Sequence, residues 1–377
     1  MLNKKIVMLT VILVSLFAVS AVCAADNATD DIVGVKTSEK VSLADDAAND
    51  VGAGESVGNF TELNSEIISK ADGETLVLDK NYQYNLTDDK YDIRISKSIT
   101  IDGNGNSIDG NNATSFFEIY GNNVTLKNII FKNVKSDRAF IGWYGVNGTI
   151  VNCTFDGYNV DGDSPYSVIL WASNAKNGVI ENSRFLNGRD IGSFISFSGT
   201  FGMISGCQFE NSNSGAVRMY GDNFSVSNCS FKDVSEGYLS VYADNGKIND
   251  LNLSNFISSA IMIYGGNIQF NRCVFMNYEG SSSNRGIIFS SGMNFTFNNS
   301  TFKNNKRTLI DILDYTSFVD CVIEDNTGKS IFAGRCSDIR FINNTFKNNN
   351  AMAVINIEGN HIFLSDNRFI GLCLKLS

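Results

Sequence analysis

The stretch at 148–157, GTIVNCTFDG, reads as a short alternating strand, a turn and a second alternating strand. Near copies recur as SVSNCSFKD (225–233), NNSTFKNN (298–305), FVDCVIED (318–325) and INNTFKNN (342–349). The large apolar residue closing each phrase falls at Ile108, Phe131, Phe155, Phe185, Phe209, Phe231, Leu253, Phe275, Phe302, Ile323, Phe346 and Phe369. Successive intervals are 23, 24, 30, 24, 22, 22, 22, 27, 21, 23 and 23 residues, the period of a solenoid. Three residues before each marker stand Gly105, Asn128, Asn152, Asn182, Gly206, Asn228, Asp250, Arg272, Asn299, Asp320, Asn343 and Asp366. All but Arg272 are types that tolerate a left-handed backbone, so a tight bend is expected there in every repeat.

A second apolar run precedes most phrases: AVRMYG, YLSVYA, AIMIYG, GIIFSS, AVINIEG. Alternation and β-branched or aromatic content make these strands. About three short strands in one period form one coil of a parallel β-helix, each coil pairing with the next at ~4.8 Å. Leucine-rich repeats share the period but need a regular Leu pattern, and a propeller blade needs about twice the length. The single proline, Pro165, agrees with a chain made mostly of paired strands. The expected fold is all-β, a solenoid of about 12 coils.

The chain reads as three regions. Residues 1–24 look like an export signal, with Lys4 and Lys5 before the apolar run 6–22 and small residues Ala24 and Ala25 at its end. Residues 25–58 read as a flexible acidic leader. Residues 59–377 are the solenoid, opened by a short capping helix with Phe60, Leu63, Ile67 and Ile68 on its apolar face. No other segment is apolar enough to cross a bilayer, so no membrane insertion is expected once the signal is removed. Without Lys4 and Lys5, 28 of the 30 basic residues face 40 acidic ones, a net charge of about −12. That argues against nucleic acid or anionic lipid as the natural partner.

Cys153, Cys207, Cys229, Cys273 and Cys321 share the position two before the marker, hence its inward parity. They read as a small buried stack. Only Cys207 and Cys229 are on consecutive coils, and a ~4.8 Å strand separation is long for a disulfide. With no CxxC and one histidine, His361, no metal site and no cofactor are expected.

Together, the signal ending AVCAAD, the cap FTELNSEIISKADGETLVLDKNYQYN, the phrase ISKSITIDGNGNSIDG and the NxxF coils resemble the pectin-lyase-like right-handed parallel β-helix superfamily. Within it, the chain looks most like adhesin-like surface proteins of methanogenic archaea. The resemblance covers about residues 59–371 and implies right-handed coiling and a secreted or cell-surface location. It does not imply one activity, because the fold carries lyases, hydrolases, tailspikes and adhesins.

ITIDGNGNSIDG also resembles the opening coil of polygalacturonases, where it is structural. The catalytic Asn-Thr-Asp, Asp-Asp, Gly-His-Gly and Arg-Ile-Lys patterns of that family do not occur in the coils. No catalytic residue is assigned. Asp222 and Asp244, 22 residues apart, would stack at roughly 5 Å, a carboxylate separation used by retaining glycosidases. Capping the turns they occupy is the simpler role.

Eight residues before the bend lie Tyr144, Tyr220, Tyr242 and Tyr264. Their parity is outward, and Arg218 shares their face. An exposed aromatic row on a flat sheet suits sugar rings. The two longest coils, with insertions at 156–167 and 276–286, bracket the row, and Trp171 extends it. Candidate ligand-binding residues are therefore Tyr220, Tyr242, Tyr264, Arg218, Tyr144 and Trp171. Sequons are plentiful; those in the bend series, Asn152, Asn228, Asn299 and Asn343, are expected to point inward. The reading is a monomeric, non-enzymatic, secreted or surface protein that binds an extracellular polysaccharide or cell-surface glycan. The alternative is a polysaccharide lyase or glycoside hydrolase.

Overall fold

The computed structural model describes residues 57–371, except 88–92, 137, 161–166, 190, 235–236, 257–259, 280–285, 307–308 and 312. The expected signal and nearly all of the expected leader lie outside the described residues, as does about half of each insertion. The coils form three parallel sheets of 14, 12 and 13 strands, each strand pairing with its counterpart one coil earlier and later.

The first sheet carries the marker residues. Phe131, Phe155, Phe185, Phe209 and Phe231 are register partners, with ring centroids 4.9, 4.8, 5.1 and 5.2 Å apart. Strict alternation puts one aromatic per coil inside, and the coil rise stacks it on the next. The third sheet does the same with Phe270, Phe297, Phe318 and Phe341, at 4.6, 4.8 and 5.0 Å. The second, 12-stranded sheet sends Trp143, Trp171 and Phe197 inward, stacked at 4.4 and 4.8 Å.

All twelve residues of the bend series have positive φ, from +48° to +86°. Arg272 is the chemical exception, and its guanidinium donates from Nε and Nη2 to Asp250 on the preceding coil at 2.6 and 2.7 Å. The pair is exposed, so it offsets only part of the left-handed cost. Two further left-handed positions recur that the sequence reading did not separate. One includes Asn133, Asn187, Asn211, Asn255, Asn277 and Asn304; the other includes Asn123, Asn147, Asn177, Asn223, Asn245 and Asn267. Each coil thus turns three corners on left-handed residues.

The third corner contains a misfit. Phe201 has φ +60° and is 57% exposed, in a column where Asn177 and Asn223 precede and follow it. A β-carbon with a bulky ring costs about 1–2 kcal/mol in this conformation, and Asn much less. Phe201→Asn is expected to stabilise the protein by about 1 kcal/mol in urea denaturation. Unchanged or lower stability would show that the ring contributes contacts that offset the backbone cost.

The bend-series sequons Asn152, Asn228, Asn299 and Asn343 are exposed, not inward as expected. The left-handed residue sits on the outside of the bend, and the following residue turns in. That following residue is Cys153, Cys229, Ser300 or Asn344, each buried.

All five cysteines of this slot are buried free thiols. Each donates to the carbonyl two residues earlier, as Cys153 does to Val151 (3.5 Å) and Cys321 to Val319 (3.4 Å). Burial pushes the thiols of Cys153 and Cys321 up to about 12 and that of Cys273 up to about 11, from an ordinary 9.0. Cys207 and Cys229 lie against each other, and the hydrogen bond between them raises the Cys207 thiol, helped by burial, and lowers that of Cys229. The folded state therefore holds protons that the unfolded chain releases above pH 9. Stability should be fully present below pH 9 and fall as pH rises through about 11 to 12. Native protein at pH 8 should resist iodoacetamide at these five positions by peptide mass spectrometry, and react fully in urea.

The N-terminal end is closed by the helix Phe60–Ser69. Asn59 caps it, accepting from the Glu62 amide at 2.9 Å. Phe60, Leu63 and Ile67 are buried, whereas Ile68 is 62% exposed and leaves the predicted apolar face. Lys97 donates to the C-terminal carbonyls of Ile68 and Lys70, and the Tyr82 hydroxyl donates to Glu66 at 2.7 Å. These contacts fasten the cap to the first coils.

Candidate functional site

The outer surface of the 12-stranded sheet is built from two outward columns. The middle residue of each strand gives Glu118, Gly142, Leu170, Ser196, Arg218, Ser240 and Met262 in register. The residue after each strand gives Tyr120, Tyr144, Ala172, Ser198, Tyr220, Tyr242, Tyr264 and Ser291. Between the columns lies the inward position occupied by Trp143, Trp171, Phe197, Met219, Val241 and Ile263, all fully buried.

Tyr220, Tyr242 and Tyr264 are 42, 43 and 41% exposed. Their rings stack at 4.6 and 4.8 Å, with planes within 8° and 7°. Burial raises the Tyr242 phenol above its ordinary value; Tyr220 and Tyr264 add to the shift and Arg218 opposes it. The middle ring of the row is thus held neutral at physiological pH. Among the described residues, no carboxylate forms an ion pair with Arg218.

Tyr144 stacks at 4.7 Å on Tyr120, which sequence reasoning missed although it stands at the same offset from Asn128 as the other tyrosines from their bends. The Arg94 guanidinium covers the outer face of Tyr120 at 4.2 Å. The Tyr120 hydroxyl donates to Glu118 at 3.3 Å.

Trp171 is not part of this surface. It has inward parity and is fully buried between Trp143 and Phe197. One residue decides the face in a strand, and the outward neighbours of Trp171 are Leu170 and Ala172. Asp222 and Asp244 are turn caps: Asp222 Oδ1 accepts from the Asp244 amide at 2.9 Å, and Asp244 Oδ1 from the Gly266 amide at 2.6 Å. Each carboxylate is held by the coil that follows it. Among the described residues, no group of three or more His, Cys, Asp or Glu side chains is arranged to hold a metal ion. Among the same residues no helix is long and apolar enough to cross a membrane.

Residues 237–373 match the family described as "Right handed beta helix region". Similar solved structures include a PL6 alginate lyase in complex with a trisaccharide, with TM-score 0.53 and 13% identity, covering 85% of this chain and 86% of that one. The A-module of the Azotobacter vinelandii mannuronan C-5 epimerase AlgE6 has TM-score 0.53 and 12% identity, over 79% and 84%. The alginate lyase AlyF-OU02 with G6 has TM-score 0.52 and 15% identity, over 78% and 84%. No curated protein matches the chain by sequence. The chain is a right-handed parallel β-helix. At these identities the likeness concerns fold alone.

Proposed function

We propose that this β-helix is a non-enzymatic glycan-binding protein of the cell exterior, an adhesin-like chain that presents the outer surface of its 12-stranded sheet. The observation that carries this is the exposed, stacked row Tyr220, Tyr242 and Tyr264 with the cation Arg218 close enough to act on Tyr242. Rings offer apolar contact to the C–H surface of a pyranose, and phenol and guanidinium groups reach its hydroxyls or carboxylate. An exterior location rests on the signal-like pattern at 1–24. Alginate, named with the similar structures, is a first probe because its uronate carboxylates suit Arg218.

The test is glycan-array binding by the purified protein, with alginate oligosaccharides included, comparing the parent with a Tyr220→Ala, Tyr242→Ala, Tyr264→Ala variant. Surface truncation should cost little stability. At about 1 kcal/mol per lost ring contact, binding should weaken at least tenfold. Equal binding by parent and variant would remove the row from the site. Release of reducing ends or unsaturated products from a bound polysaccharide would instead favour the lyase or hydrolase reading.

A further inference from the structure

Stacking decides which ring surfaces a ligand reaches. Tyr242 has Tyr220 against one face and Tyr264 against the other. Tyr264 has the edge of Phe289 beyond it, at 6.2 Å and 70°. Tyr120 lies between Tyr144 and the Arg94 guanidinium. Tyr220 differs, because the rung upstream of it is Ser198 and the rung before that is Ala172. Three coil steps separate Tyr220 from Tyr144, ~14 Å at the spacing of paired strands, leaving about 11 Å between ring surfaces.

We infer that this break in the tyrosine ladder is a sugar slot. A pyranose stands against the upstream face of Tyr220, above Ala172 and Ser198, within reach of Arg218, and its chain crosses the solenoid axis instead of following it. The inference rests on the glycan-binding reading above and makes it geometrically specific.

The orientation follows from the ladder. Register partners on successive coils stack face to face, so the ring planes lie across the axis. A pyranose that stacks on Tyr220 adopts the same plane. Its equatorial linkages leave in that plane, which carries the chain away across the sheet. Such a chain touches the protein with one or two sugar units, not with one unit per coil. The slot also fits the two-sided chemistry of a sugar: an apolar wall from Tyr220, and the Ser198 hydroxyl with the Arg218 guanidinium at the rim. A purely aromatic ligand would use the wall and leave the polar rim without partners.

The decisive variant is Ser198→Tyr. It adds the missing rung and closes the Tyr220 face without altering Tyr220. The new side chain fits, because the residue beneath it, Ser196, is as small as Ser240 beneath Tyr242. Binding of the alginate trisaccharide should fall at least tenfold, while Phe363→Ala, at an exposed ring of the 13-stranded sheet, should change it less than twofold. On the parent, affinity should level off by the trisaccharide, so that the hexasaccharide binds no more than about threefold tighter per chain. Ala172→Tyr narrows the slot from the other side and serves if Ser198→Tyr does not fold.

Undiminished binding by Ser198→Tyr, or affinity that keeps rising to the hexasaccharide, overturns the slot. If the triple Tyr→Ala variant still loses binding in that case, the glycan-binding face stands without it. If the parent binds no oligosaccharide in the series or on the array, the face and the slot fall together.

Discussion

Replacing Asn326 by Leu is expected to cost about 3–5 kcal/mol, as much as emptying part of the aromatic core. Asn305, Asn326 and Asn349 are buried and form an amide ladder at one inner corner. Asn326 Oδ1 accepts from both the backbone amide and Nδ2 of Asn305, each at 3.0 Å. Its Nδ2 donates to the Phe302 carbonyl at 2.9 Å and to Asn349 Oδ1 at 3.0 Å. Leucine keeps the branched shape with bulkier ends but makes none of these bonds, so groups on both neighbouring coils are left without partners. Leaving a buried polar group unsatisfied costs about 1–3 kcal/mol, and a broken network loses more than one pair. Urea denaturation followed by far-UV circular dichroism measures the loss. Asn228→Gly is the control: it is exposed with φ +49°, and should change stability by only a few tenths of a kcal/mol. A loss below about 1 kcal/mol for Asn326→Leu would mean that water or side-chain movement satisfies the ladder.

Trp171→Ala should be comparably damaging, at about 3–5 kcal/mol. The ring is fully buried, and its place is made by a missing β-carbon: a Cβ on Gly178 would stand 2.3 Å from the indole. Alanine therefore opens a cavity that two coils share. Trp171→Phe should cost no more than about 1.5 kcal/mol, because Phe197 already continues the same stack. Among the described residues the indole N–H has no hydrogen-bond partner to lose. The chain has two tryptophans, Trp143 and Trp171, both buried, so native fluorescence should be blue-shifted and move red on unfolding. The same variant separates core from site. Trp171→Phe should bind glycan as the parent does, and a folded Trp171→Phe protein that cannot bind would return this residue to the ligand.

The proposed binding surface depends on parity. The sequence places Tyr220, Tyr242 and Tyr264 at equal spacing, and alternation alone sends them outward. Trp171 shows the limit of this method. Its coil follows an insertion, so counting from the preceding marker loses the register, and one residue of error reverses the face. The sequence also could not tell an exposed row from an exposed stack. That difference matters, because stacked rings cover one another's faces and concentrate any ring-face binding at the end of the row.

From the amino acids alone come the solenoid, the period, the inward markers, the first left-handed corner and the capping helix. These are local patterns repeated so often that single errors average out. The burial of the cysteine slot was legible for the same reason. Only the tertiary structure decided what depends on contact between coils. It turned the sequon asparagines outward, since the direction of a left-handed residue depends on the corner it occupies. It made Asp222 and Asp244 caps, because the amide each binds belongs to the next coil. It resolved the buried ladder of Asn305, Asn326 and Asn349, although by residue type Asn305 and Asn349 are indistinguishable from the exposed Asn304 and Asn348 that precede them. Spacing fixes which residues meet, but whether they meet in the core, at a corner or across an open rung is set by how each coil lies on the last.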